Sequence, residues 1–430
     1  MVTTLRKPSS AQTILNGEVH NWYRLRLGYS DHLVSDLLAE FKLEPGDILL
    51  DPFCGSGTSL VECMKKGIDS VGIDANPSSC FAAKVKTNWH VSSNSLLVLL
   101  DEVEASFRRY LRRPSSLSHD PTFTYLKDAG MIERGWISYE PLMQSLAIKQ
   151  AICGLRTSKK YVHALLLALL AEVVEGASNV KFGPELYCSS PRRNFDVLAG
   201  FVDRVETMAF DLKTVKKIPG YGIAKVLYGD SRRCRAVLSN HGALFSAVIC
   251  SPPYPAEHDY TRNARLELAF LEAVRNRETL RAIKKAMIRS HTKGIYKGDR
   301  DEKFVLRNKT IHSIASKLER IVSHKEYGFA RLYPKVVLEY FGGMKRHLLS
   351  LQFVLHPGAH CAYVVGDQGS YLGVHIPTAK ILAELVEEAG FKLTDIRKWR
   401  TRWSSTAGHG IDEHFVLFRK PEKQGNSCPR

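Results

Sequence analysis

The sequence predicts an α/β chain built on an open, doubly wound and mostly parallel sheet. Three observations carry that reading. The apolar run Ile48-Leu49-Leu50 leads into Asp51-Pro52-Phe53-Cys54-Gly55-Ser56-Gly57-Thr58 and then into the periodic Leu60, Val61 and Met64, which is strand, glycine-rich turn, helix. Ser70-Val71-Gly72-Ile73-Asp74 follows as a second short strand ending in an acid, about 20 residues on, where a doubly wound domain sets the carboxylate that holds ribose hydroxyls. Ala224 to Asp230 and Ala247 to Cys250 return much later as two further short strands, the first again closed by an acid.

The glycine turn lets the backbone approach a ligand without a Cβ in the way, and amide groups at the next helix start face a negative group. It is neither a Walker loop, because no Lys-Ser/Thr follows Gly57, nor a GxGxxG turn. Asp74 is read as the ribose ligand; the alternative is a cap for the helix that Pro77 opens.

Composition bounds the partners. The 430 residues hold 61 Lys plus Arg against 44 Asp plus Glu, a net charge of +17 that argues for a polyanion. Nine cysteines show no CxxC pair and no spacing for zinc, so they read as reduced, buried thiols of a cytoplasmic protein with no metal site. No apolar run reaches the ~18 residues of a membrane span, and Ala164 to Val174, interrupted by Glu172, is read as a core helix. Met1 to Gln12 and Pro421 to Arg430 read as disordered ends.

In chain order, Leu33, Val34, Leu37, Leu38 and Phe41 form a helical pattern that Ser30 can cap. Ser93 to Lys217 is mostly helical, with loops expected at Arg113 to Ser116 and His119 to Pro121, and Ser178 to Pro184 is expected to be a loop near the pocket. Phe107 to Arg113 interleaves cations with aromatics and is either a nucleic-acid grip or a solvated helix face. From Arg275 to Lys309 twelve Lys/Arg stand against four acids, and that density marks a nucleic-acid groove. Tyr333 to Leu355 is an amphipathic helix, Cys361 to Asp367 a strand, and Pro377 to Ala389 a helix. Phe391 to Trp399 and His414 to Arg419 end the sheet, joined through a basic loop over Arg397 to Trp403.

DPFCGSGT followed by GIDANP, with Ser251-Pro252-Pro253-Tyr254 far downstream, resembles the S-adenosylmethionine-dependent amino-methyltransferases of DNA, over segments from about Trp22 to Lys420. That resemblance implies a class I methyltransferase (Rossmann-like) fold: a seven-stranded, mostly parallel sheet with a C-terminal antiparallel strand, plus helical insertions. It implies S-adenosylmethionine held by Tyr29, Ser30, Asp51, Pro52, Phe53, Cys54, Gly55, Ser56, Gly57, Thr58, Asp74, Ala75, Asp230 and Ser231. Asp31 stands where the family has a proline after Ser30. Ser251, Pro252, Pro253 and Tyr254 would be catalytic. An exocyclic amine is a poor nucleophile, and a serine oxygen with a proline-fixed carbonyl can accept its N–H bonds while Tyr254 stacks on the flipped base. Cys250 belongs to the strand before the loop and reads as packing rather than as the nucleophile of carbon-5 methylation.

The implied partner is double-stranded DNA, contacted by Arg262, Arg289, His291, Lys293, Arg400 and Arg402, and a cognate restriction endonuclease follows from a modification role. The organisation expected is 1–92 with the cofactor motifs, 93–217 as a helical insertion for target recognition and 218–272 with the catalytic loop. A basic insertion at 273–330, the rest of the sheet at 331–420 and a tail at 421–430 complete it. A serine in this loop leans toward cytosine N4 and an aspartate toward adenine N6. Alternatives are adenine N6 methylation, guanine N2 methylation of tRNA or rRNA, and a non-catalytic binding protein; monomer and dimer stay open.

Overall fold

The computed structural model describes residues 17–24, 28–182, 186–191, 194–323, 328–369, 371–404 and 409–422; the N-terminal lead, Gly183, Pro184 and most of the tail lie outside them. The leading helix and the first two βα units follow the sequence reading. Helix α1 (Asp31–Glu40) precedes strand β1 (Ile48–Asp51), helix α2 (Thr58–Lys65), strand β2 (Asp69–Asp74) and helix α3 (Pro77–Lys86). Ser30 occupies the N-cap position of α1 without making a side-chain cap bond. Asn76, not Asp74, caps α3 by accepting the Ser78 amide, so Asp74 is left for the pocket.

The long insertion is helical: α4 (Ser93–Leu111), α5 (Pro114–Ser118), α6 (Pro121–Asp128), α7 (Tyr139–Cys153), α8 (Lys159–Glu172) and α9 (Val197–Val215). Two expectations are corrected here. Pro114, whose fixed φ suits a first helical turn, opens α5 where a loop was expected. Ser178 to Phe182 leads into the antiparallel pair β3 (Val180–Phe182) and β4 (Leu186–Cys188), and none of their described residues lines the pocket. At the end of α4, Phe107 points inward while Arg108 and Arg109 are exposed, the solvated-face alternative.

The sheet resumes with β5 (Ala224–Tyr228), helix α10 (Cys234–Val237) and β6 (Phe245–Cys250). Short helices α11 (Tyr260–Asn263) and α12 (Arg265–Phe270) lead to α13 (Arg277–Ala286), which a capping box of Asn276 and Thr279 opens. Helices α14 (Lys309–Ser323) and α15 (Tyr333–Leu351) precede β7 (Leu355–Gly366), α16 (Thr378–Glu388), β8 (Lys392–Ser404) and β9 (His409–Arg419). The expected basic loop is β-ladder instead: Arg400 faces Glu413 and Arg402 faces Ile411 across β8 and β9.

Strand order is β5-β2-β1-β6-β7-β9-β8. Pairing is parallel from β5 through β7, while β9 runs antiparallel between β7 and β8, so the last strand in sequence is inserted beside the edge. This is the seven-stranded class I methyltransferase arrangement that the motifs imply. Alternation along the strands splits the core. Leu50, Val248, Cys250, Tyr363 and Val365 face α14 to α16, whereas Leu49, Ile249, Ala362 and Val364 pack on Leu33, Val34, Leu37 and Leu38 of α1. Helices α4 to α9 share one apolar cluster with Val61 and Met64 of α2 and with Ala82 and Val85 of α3. The order reverses between β1 and β6, whose chains depart in opposite directions, and open α/β sheets bind ligands at the carboxyl ends flanking such a point.

Candidate active site

Strands β1 and β6 lie side by side, Leu50 opposite Val248, so the turns that follow them open into the same crevice. A cavity of about 340 Å³ there is lined from one side by Phe53, Cys54, Gly55, Ser56 and Thr58 and from the other by Ser251, Pro252, Pro253 and Tyr254. That volume is in the range of small-molecule sites.

The glycine turn is held from within. Gly55 takes φ 51° and Gly57 φ 85°, and a Cβ at Gly57 would lie 3.1 Å from the Ala83 Cβ of α3. Asp74 at the end of β2 accepts the Gly55 amide at 2.9 Å and the Asn76 amide at 2.7 Å, which leaves lone pairs on both oxygens for a ligand. Burial raises its carboxyl to about 6. Asp51 is fully buried beneath the turn, where it accepts from Tyr29 Oη at 2.9 Å, from the Phe53 amide at 3.0 Å and from Ser59 Oγ. Burial lifts Asp51 to about 6 as well.

Asp230 closes the far end. It forms a two-pronged pair with Arg232, Nε to Oδ1 at 2.9 Å and Nη2 to Oδ2 at 2.9 Å, and accepts the Arg232 amide. Ser231 donates its hydroxyl to the Pro52 carbonyl, and its own carbonyl accepts from His347 Nδ1 at 2.7 Å. His347 is fully buried, with burial lowering it to about 4, and its Nε2 accepts from Tyr363 Oη at 2.6 Å.

The turn at 251–254 is pinned in the same manner. Ser251 donates its hydroxyl to the Val364 carbonyl of β7 at 3.1 Å and lies within hydrogen-bond reach of the Tyr254 side chain, and its oxygen keeps acceptor capacity. Tyr340 of α15 donates to the Pro253 carbonyl at 2.8 Å; among the described residues no donor reaches the Pro252 carbonyl. The Tyr254 amide donates to Tyr260 Oη at 2.9 Å. Its ring rests on Gly366, where a Cβ would lie 3.2 Å from Tyr254 Cε2. Cys250 is fully buried with its thiol pushed well up by burial, an inert packing group.

Of the sequence-predicted cofactor residues, Tyr29, Phe53, Cys54, Gly55, Ser56, Thr58, Asp74, Ala75, Asp230 and Ser231 line the cavity. Ser30, Asp51, Pro52 and Gly57 do not; they lie behind the wall and shape it. Two of the predicted nucleic-acid contacts are also corrected. Arg289 is buried, with its guanidinium spent on Asp299 at 2.8 Å and on the carbonyls of Lys284, Lys285 and Met287, so it staples the end of α13. His291 is buried, its Nε2 3.7 Å from Asp259 Oδ1, and burial lowers it to about 4. Lys293 is exposed, and Arg262 is half-buried beside the lining residue Asn263. Arg400 and Arg402 stand in the cavity wall, both paired with Glu413, at 2.6 and 3.2 Å.

Sequence reasoning missed the wall built by Tyr23, Asn76, His258, Tyr260, Glu267 and Trp399. Asn76 stands in the GIDANP motif and Tyr260 six residues after Tyr254, so proximity to the motifs was the available signal. Tyr23, tied to Glu267 at 2.8 Å across 244 residues, had none.

A sequence model of the N6/N4 family, described as DNA methylase, matches residues 32–85. Over 459 aligned residues the chain is 25% identical to the Type II methyltransferase M.BsoBI of Geobacillus stearothermophilus, covering 96% of this chain and 87% of that one. It is 24% identical over 420 residues to the Type II methyltransferase M.AvaI of Nostoc sp., covering 91% and 83%. Among solved structures, a SAM-dependent methyltransferase from Methanosarcina mazei aligns with 90% of this chain and 98% of its own at 11% identity and a TM-score of 0.31. With its motifs, its strand order and these sequence relatives, the chain is identified as a relative of the DNA amino-methyltransferases of the N4/N6 family.

Proposed function

We propose that the chain moves a methyl group from S-adenosylmethionine to the exocyclic amine of a base flipped out of double-stranded DNA, with cytosine N4 the favoured acceptor. The observation that carries this reading is that the turn at 55–57 and the turn at 251–254 line one cavity from adjacent parallel strands.

The donor set fits a cationic nucleoside. The carboxylates of Asp74, Asp230 and Glu267 ring a wall that includes Phe53, Ala75 and Ile288, so apolar surface for a base and acceptors for hydroxyl and ammonium groups coexist. Asp74, steadied by the Gly55 and Asn76 amides, would hold the ribose hydroxyls. Asp230 would lie at the base end, and Tyr29 and Glu267 at the amino-acid end. When bound, S-adenosylmethionine supplies an electrophilic methyl group on a sulfonium.

The chain's own residues then act on the acceptor. Ser251 Oγ, its proton already given to Val364, and the Pro252 carbonyl would accept the two amine N–H bonds and draw the nitrogen toward sp³. Tyr254 would stack on the base, with Tyr260, His258 and Trp399 closing the site from water. Fixing nitrogen and methyl in line supplies most of the rate, so no raised-pKa base is required. Ser251 rather than an aspartate favours cytosine N4 over adenine N6, following the tendency of the family that the motifs resemble.

In this reading the chain is the modification half of a pair with a cognate restriction endonuclease and works in the cytoplasm on nucleoid DNA. The basic segment 273–330 takes the DNA backbone, and 93–217 contributes to reading the target. The test is incubation with labelled cofactor and duplex DNA followed by nucleoside digestion: N4-methylcytosine supports the reading, N6-methyladenine moves it to the other amine, and transfer to tRNA alone overturns it.

A further inference from the structure

A second cavity, of about 530 Å³, opens behind α13 and has no part in the transfer chemistry. Its walls carry Arg281 and Lys285 from α13 and Lys297, Arg300 and Lys303 from the segment that follows, around the ring of Tyr296. The acids at this cavity, Asp299 and Asp301, are already committed. Asp299 pairs with Arg289 at 2.8 Å, and Asp301 pairs with Arg232 at 2.7 Å and Arg346 at 2.9 Å. No carboxylate among the described residues pairs with any of the five remaining cations. Two of them are held over the Tyr296 ring, Arg281 at 5.0 Å and Lys285 at 5.9 Å from its centroid. Five like charges gathered round one hollow without a counter-charge form a site for an anion.

The wall between this cavity and the active site is thin in sequence. Lys285 lines the second cavity while Ala286, Met287 and Ile288 line the first; Asp230 lines the first and its partner Arg232 the second. Lys284, in the same turn of α13, pairs with Asp259 at 2.6 Å, five residues after Tyr254. Whatever seats in the second cavity therefore bears on the element that walls the target-base site.

We infer that this cavity binds phosphate groups of the DNA backbone beside the flipped nucleotide, through Arg281, Lys285, Lys297, Arg300 and Lys303. The inference rests on the proposed DNA reading and adds where the strand is gripped. Backbone contacts of this kind fix register and are salt-dependent, each adding about 0.9 to the slope of log affinity against log salt.

The experiment compares the full chain with a Lys285→Gln/Lys297→Gln variant, both positions being exposed. Binding to one duplex is measured from about 50 to 200 mM salt, and S-adenosylmethionine binding is measured in parallel by calorimetry. The variant is expected to lose about 1.8 from the slope and to bind DNA roughly 10- to 100-fold more weakly at about 0.1 M salt. Its cofactor affinity stays unchanged. Equal slopes and affinities in a chain that methylates DNA overturn this inference alone, as does a variant weakened for pyrophosphate or a free nucleoside triphosphate but not for DNA. Failure of the unaltered chain to bind any duplex overturns the DNA reading together with it.

Discussion

The carboxylate of Asp74 accepts the amide of Gly55 at 2.9 Å, joining the end of β2 to the turn that follows β1. One bond thus sets both the shape of the glycine turn and the direction of the acid that faces the cavity. Asp74→Asn removes the charge and turns one of the two oxygens that accept the Gly55 and Asn76 amides into a donor. Loss of charge-assisted bonds to ligand hydroxyls, worth about 1.5–3 kcal/mol, predicts roughly 10- to 100-fold weaker S-adenosylmethionine binding by calorimetry, and the backbone amide left without its acceptor predicts a lowered melting temperature as well.

The same acid gives a pH signature. Burial raises Asp51 and Asp74 to about 6, above the range of free carboxyls, so their protonated forms stabilise the fold below about 4 and that contribution is lost as pH rises through about 6. A cationic ligand prefers the ionised carboxylate. Cofactor affinity is therefore expected to rise as pH rises through about 6 and level off above 7, and the rise should be smaller in Asp74→Asn, where only Asp51 still titrates in that window.

Ser251 shares its proton with Val364 rather than with the cavity. Ser251→Ala removes one acceptor aimed at the amine and leaves the cofactor half intact. Turnover should fall by about 10²- to 10³-fold, as for loss of one preorganised polar group, while cofactor affinity stays within about two-fold. A turnover loss accompanied by an equal loss of cofactor binding would assign Ser251 a structural role instead.

Lys86 is buried on α3, its amine donating to the carbonyls of His20 at 3.4 Å and Tyr23 at 3.3 Å, and burial lowers it to about 7. Because the unfolded chain holds that proton up to about 10.5, stability should increase as pH rises from about 7 to 10. The contribution is lost as pH falls through about 7. Melting curves of Lys86→Met should lack that rise, a difference of about 1 kcal/mol per pH unit across the window.

Much of this site was legible where physics is local. The turn at 51–58 is announced by its glycines and by the change of apolar period from strand to helix, and Asp74 by its distance along the chain. What depends on packing was hidden. Arg397 to Trp403 reads as a loop because of its density of cations, whereas the ladder, with register shifts between Leu393 and Asp395 and between Lys398 and Arg400, pairs it with residues 410–415. Charge density marked the basic segment but could not tell Arg289, consumed by Asp299, from Lys285, which faces a cavity. The bonds that fix the turn at 251–254 and the cavity wall at Ser231, Tyr340 to Pro253 and His347 to Ser231, span 87 and 116 residues and leave no trace in any local pattern.

Base-resolution mapping of DNA from cells that express the chain, with a Ser251→Ala control, tests the central claim most directly. The account predicts N4-methylcytosine at one defined sequence context with the unaltered chain and at least a hundredfold less with the control. Unmodified DNA, or marks equal in both, would contradict it.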